Sequence, residues 1–192
     1  VIIGALAGTV IGALTGYFGG WGDEILMRLC DSITAFPSIL LALVVIAVLG
    51  PGKWNVIWVL GMLFIPSFAR MVRGKVLQVK EEDYIMATRS LGAQDSRIIF
   101  VHILKNCLPV IIVIATMRMA TSIISISTLS YLGMGVTPPM PEWGGMIAIG
   151  KQYLWDRPSL IFIPGIAVMI TVICFNILGD KLRDILDPSL RD

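Results

Sequence analysis

The chain has 192 residues, 56% of them hydrophobic and 15% charged, with a formal net charge of +2 and a mean hydropathy of +0.86. A soluble domain carries about a quarter charged residues, so this composition excludes one and requires apolar surface facing lipid. The absence of a basic tail or RNA-type motif argues against nucleic acid as a partner. Cys30, Cys107 and Cys174 are far apart, fit no C-x-x-C spacing and read as small apolar filler. His102 is the only histidine, which excludes a His-rich metal site.

In chain order, the first apolar stretch covers residues 1–18 and carries Gly4, Gly8, Gly12 and Gly16. A four-residue repeat puts these glycines on one helix face and predicts close packing against another helix. The stretch starts at Val1 with no initiator Met and no signal-peptide flank. The expectation is a truncated start, with a further span upstream. Residues 32–49, SITAFPSILLALVVIAVL, read as a second span. Residues 56–71, 108–132 and 160–178 read as the third, fourth and fifth, each near the about 20 apolar residues a bilayer requires. Pro37 and Pro164 are placed to start or kink a span. Asp31, three residues after Arg28, reads as its i, i+3 partner at the membrane edge. The expected fold is all-α: one polytopic membrane domain over 1–192, with five spans of a six-span unit.

Charge sets the orientation. If residues 72–107 are cytoplasmic, that side holds Arg28, Arg70, Arg73, Lys75, Lys80, Arg89, Arg97, Lys105, Lys181, Arg183 and Arg191. The other side keeps only Lys53, Lys151 and Arg157. The positive-inside rule then predicts a cytoplasmic C-terminus and an extracytoplasmic loop at 133–159. That loop begins with prolines, has a helix-like run near 142–154, and carries Trp143, Tyr153 and Trp155, which suit a membrane interface.

The cytoplasmic segment 81–106, EEDYIMATRSLGAQDSRIIFVHILKN, is too long for a simple connector and too polar to span. Glu81, Glu82 and Asp83 suit a helix N-terminus. Tyr84, Ala87, Thr88 and Leu91 recur at i, i+3, i+4, i+7, giving one weakly apolar face. Gly92 breaks that helix, and Asp95 or Ser96 is placed to cap a second one, with Ile98, Ile99, His102 and Ile103 on its apolar side. Such faces need covering, either by a partner or by the membrane and the chain's own spans.

This segment resembles the "EAA" loop of permease subunits of bacterial ATP-binding-cassette importers. The chain as a whole is similar to the second permease subunit of dipeptide, oligopeptide and nickel transporters. The likeness runs through GGWGDEILMRLCDSITAFPSILLALVVIAVLGPG, ARMVRGKVLQVKEEDYIMATRSLGA, LSYLGMGVTPPMPEWGGMIAIGKQYL and NILGDKLRDILDPSLRD, in the family's order. It implies a bacterial inner-membrane subunit without catalysis of its own, which moves di- or oligopeptides, or nickel, by alternating access. The implied partners are a second permease subunit, two ATPase subunits carrying ATP and Mg, and an extracytoplasmic solute-binding protein. Consistent with this, the sequence has no G-x-x-x-x-G-K-[ST] phosphate loop. By position, the resemblance assigns Tyr84, Ala87, Arg89, Leu91, Gly92 and Ala93 to a coupling helix that docks on an ATPase. Met86 replaces the family's Glu, which removes a charge contact, and Lys105 replaces its Pro.

Arg118 lies about 15 Å into the fourth span. An ionisable group there faces a cavity or a partner by default. Two readings stand: it meets the carboxylate of a solute in the translocation path, or it pairs with a partner subunit's acid or snorkels inward. Ser122 and Ser125, with Ser127, Thr128 and Ser130, give this span a polar face that lines the path or joins helices. A membrane hydrolase would need a base beside a serine, and a gradient-driven transporter would carry acids within its spans. The sequence offers neither constellation.

Overall fold

The computed structural model describes residues 1–137 and 139–186. Pro138, and the closing residues 187–192 with Arg191, lie outside the described residues. Among those described, all regular structure is helical. In order these are α1 (Ile2–Phe18), α2 (Gly20–Thr34), α3 (Ser38–Leu49), α4 (Lys53–Val79), α5 (Asp83–Ser90), α6 (Asp95–Arg97), a π-helical turn (Ile98–Ile103), α7 (Leu104–Tyr131), α8 (Trp143–Gly150), a 3-10 turn (Lys151–Tyr153) and α9 (Ser159–Leu186).

The glycine repeat of α1 does what its spacing predicts. All four glycines are buried against α4. A Cβ at Gly4 would lie 2.7 Å from the Cβ of Phe64, one at Gly8 2.5 Å from that of Phe68, and one at Gly16 2.9 Å from that of Val76. Gly12 faces the Ala69 carbonyl equally closely. The two backbones therefore approach as only glycine permits.

α4, the 37-residue helix Asp95–Tyr131 and α9 are each long and apolar enough to cross a membrane. α1 has 17 residues, about 26 Å of helix. The second expected span is broken: α2 and α3 are long and apolar enough to cross only as a bent pair. Residues 32–49 are not one helix: α2 ends at Thr34, α3 begins at Ser38, and the two are bent by 88°. Pro37 causes the break, because it offers no N–H to the preceding turn and pushes Phe36 out of helical geometry. α3 alone, at 12 residues, covers only about 18 Å.

The Arg28–Asp31 pairing is also corrected. Asp31 reaches instead to Arg70 of α4, at 3.2 Å. Asp23 accepts two hydrogen bonds from Arg73, both at 2.6 Å, and this fork holds α2 on α4. The opposite end of α7 and the start of α9 are joined through α8. Gly144 packs on the Ser127 backbone, and a Cβ at Gly150 would lie 2.8 Å from the Leu160 carbonyl oxygen. Glu142 caps α8, accepting from the backbone N–H of Gly144 and Gly145.

Candidate coupling loop and membrane arginine

α5 is short and stops at a defined turn. Gly92 has φ +80, Ala93 N–H donates to the Thr88 carbonyl at 3.3 Å, and Gly92 N–H donates to the Arg89 carbonyl at 2.9 Å. These two bonds make a Schellman cap, in which a left-handed residue closes the helix. The sequence-expected break is therefore present. The second helix differs from expectation in two ways. Gln94, not Asp95 or Ser96, precedes its first turn, and no side chain caps it. It also does not end before the membrane, because α6, the π turn and α7 run on as one helix. Between Arg97 and Leu104 the sequence holds no Gly or Pro to stop it, and the π turn keeps the backbone bonded through the join.

The loop rests on a buried apolar plug. Ile85 of α5 and Ile98, Ile99 and Ile103 of the π turn pack with Ala13 and Tyr17 of α1, Val72, Val76 and Val79 of α4, and Cys107 of α7. Ile85, not the Tyr84–Ala87–Leu91 side, is the residue of α5 that faces inward, at 1% exposure. Tyr84, Met86, Ala87, Arg89, Leu91 and Gly92 are exposed, and Thr88 and Ala93 partly so. Leu91 is 88% exposed at the tip of the turn.

Two assigned residues, though exposed, make contacts back to the bundle. The Tyr84 hydroxyl accepts from Asn106 Nδ2 at 3.0 Å. Partial burial, with Glu82 adding to it, pushes its phenol above the ordinary value, so it stays neutral. The Arg89 guanidinium lies over the Tyr17 ring, 5.4 Å from its centroid. Contact with the Tyr17 hydroxyl raises the pKa of Arg89 above its ordinary value. The contacts of Tyr17 with the loop were not legible in sequence, where it only ends an apolar run.

Arg118 sits between α7 and α4. Its Nη2 donates to Ser67 Oγ at 2.6 Å, and its guanidinium lies 5.8 Å from the Phe64 ring centroid. No carboxylate lies within ion-pair distance of it among the described residues. Ser122 and Ser125 follow at i+4 and i+7, on the same helix face. Ser125 is buried, while the Ser122 hydroxyl donates to the Met119 carbonyl of its own helix at 2.8 Å. Thr121 and Thr128 also bond within the helix. Arg118 to Ser67 is thus a helix-joining side-chain bond, whereas Ser122 and Thr128 make none. The three cysteines are free thiols, with Cys30 and Cys107 buried and Cys174 exposed.

Known proteins resemble this chain in sequence and in fold. Residues 8–192 match the family model described as the binding-protein-dependent transport system inner membrane component. The glutathione transport system permease protein GsiD of Pectobacterium atrosepticum is 46% identical over 191 residues, covering 100% of this chain and 64% of that protein. Its counterpart in Escherichia coli strain 536 is 48% identical, covering 100% of this chain and 63% of that protein. The chain thus spans a little under two thirds of the length of these relatives. Among solved structures, an inward-facing conformation of the MetNI methionine ABC transporter has a TM-score of 0.70 at 22% identity, covering 97% of this chain and 90% of that one. That likeness shows a common fold. The family match over nearly the whole length carries the assignment: the chain belongs to the inner membrane components of binding-protein-dependent transport systems.

Proposed function

We propose that the chain is the permease subunit of an ATP-driven importer that passes small peptides across the inner membrane by alternating access. The observation that carries this reading is the 81–106 loop: a Schellman-closed helix, seated on a buried plug, that holds Leu91 outward at one end of the bundle. In this reading the loop docks on a separate ATPase subunit, which binds ATP and Mg. Closure of two ATPases moves the loop, and the loop moves the spans. A second permease subunit completes the path, and an extracytoplasmic binding protein delivers the solute. The loop and the described C-terminal end of α9 face the cytoplasm.

The relatives named as glutathione permeases favour a peptide as solute. Arg118 fits that class. Ser67 takes one of its five N–H donors, and the others are available to a peptide carboxylate, with Ser122 and Ser125 farther along the same face. Nickel is the weaker reading, because a guanidinium in the path repels a cation.

The test is uptake and ATP hydrolysis by the complete transporter in liposomes, with its binding protein and a mixture of dipeptides and glutathione. Gly92→Leu forces a side chain into left-handed geometry, at a cost of about 1 kcal/mol, and displaces the turn. It is expected to abolish solute-stimulated ATP hydrolysis and uptake together. Uptake that continues without ATP would overturn the reading. Arg118→Gln is expected to lower uptake of peptides while leaving the unstimulated ATPase rate unchanged.

A further inference from the structure

Tyr17, at the end of α1, touches both arms of the 81–106 loop. Its hydroxyl donates to Asp95 Oδ1, on the arm after Gly92. Its ring carries the guanidinium of Arg89, on the arm before Gly92. The ring is 7% exposed and belongs to the same buried cluster as Val76, Val79, Ile85 and Ile98. A phenylalanine would fill that space equally well, so packing does not account for the hydroxyl.

The contacts to the loop differ in kind. Ile85, Ile98, Ile99 and Ile103 hold it by apolar burial, which is non-directional and permits sliding. The Tyr17–Asp95 bond is charge-assisted and directional. The Arg89–Tyr17 contact adds a cation over a ring face. Beyond Tyr17, α1 cannot slide along α4, because Gly4, Gly8, Gly12 and Gly16 are seated against Phe64, Phe68, Ala69 and Val76.

We propose that Tyr17 is a positioning residue that ties both arms of the coupling loop to α1, so that movement imposed at Leu91 and Gly92 reaches α1 and α4 as one body. The inference rests on the importer reading and adds to it the route by which force enters the membrane. Tyr17→Phe removes the hydroxyl, with its bond to Asp95 and its contact with Arg89, and keeps the ring under the guanidinium. Asp95→Ala removes the same bond from the other side.

The readout is solute taken up per ATP hydrolysed by the complete transporter in liposomes, with glutathione as the probe and the binding protein present. The expected result is assembly and ATP hydrolysis at the unaltered level, with uptake per ATP lowered about fivefold, the shift one hydrogen bond supports. The double variant is expected to be no worse than Tyr17→Phe alone, because Asp95→Ala cuts a link that Tyr17→Phe has already removed. An unchanged ratio in both variants overturns the proposal. So does failure of the Tyr17→Phe complex to assemble, since Tyr17 would then hold the loop's fold rather than transmit its motion. If the unaltered transporter itself shows no ATP-dependent uptake, the importer reading fails, and that outcome is read from a separate sample.

Discussion

α4 and α9 are both long apolar helices, yet they sit in opposite surroundings. In the most apolar 18-residue stretch of α4, half the residues are buried, against 6% for α9. The hydropathy runs the other way, 1.6 for α4 and 2.5 for α9. Where α4 is covered by protein it carries Ser67 and Arg73, because Arg118 and Asp23 meet them. A helix without such partners in a bilayer would lose several kcal/mol for each unpaired polar group. α9 is the more apolar helix and is little covered by the rest of this chain, while the apolarity of α4 answers to packing against α1, α3 and α7. The part of the molecule joined to the 81–106 loop is thus the interlocked part.

The contrast implies a ranking of substitutions. Gly8→Ala brings a Cβ against Phe68 and the Ile65 carbonyl and must part α1 from α4. It is expected to destabilise the folded chain by about 2–3 kcal/mol in detergent unfolding. The ion pairs come next. Asp23→Ala leaves the half-buried Arg73 fork unmatched and is expected to cost about 2 kcal/mol. Asp31→Ala breaks an exposed pair and should cost under about 1 kcal/mol. Equal effects of the two would show that the fork adds nothing over a surface contact. Smallest, and of opposite sign, is Gly165→Ala in α9, where a Cβ meets nothing within 4 Å. It should stabilise by about 0.5–1 kcal/mol through helix propensity. A large loss there would mean that α9 is closely packed in the assembled protein.

Much of this was legible in the sequence where the signal was local. The glycine repeat of α1, the break at Gly92, the Glu142 end of α8 and the all-helical membrane fold follow from spacing and chemistry over a few residues. Direction was not legible. A hydropathy window adds apolarity across Phe36 and Pro37 but cannot register that the chain turns by 88° there. Nor could it separate the end of the loop from α7, since the π turn keeps one helix going. Partners distant in sequence were also hidden. Asp31 has Arg28 nearby, yet the fold offers it Arg70 across 39 positions. Arg89 is placed in the coupling surface by resemblance, whereas the structure turns its head onto Tyr17. Arg118 stood out because a charge inside an apolar run needs a reason, but Ser67 as its partner emerged only from the packing of α7 on α4.

The most direct test of the coupling surface is site-directed photo-crosslinking in the assembled transporter. A benzophenone-maleimide is attached at Leu91→Cys, in a background where the exposed Cys174 is replaced by Ser. The control site is Met146→Cys on α8, at the other end of the bundle and also exposed. The prediction is an adduct with the ATPase subunit from Leu91→Cys and none from Met146→Cys. An assembled, ATP-hydrolysing transporter that gives no ATPase adduct from Leu91→Cys would contradict the assignment of this loop as the coupling surface.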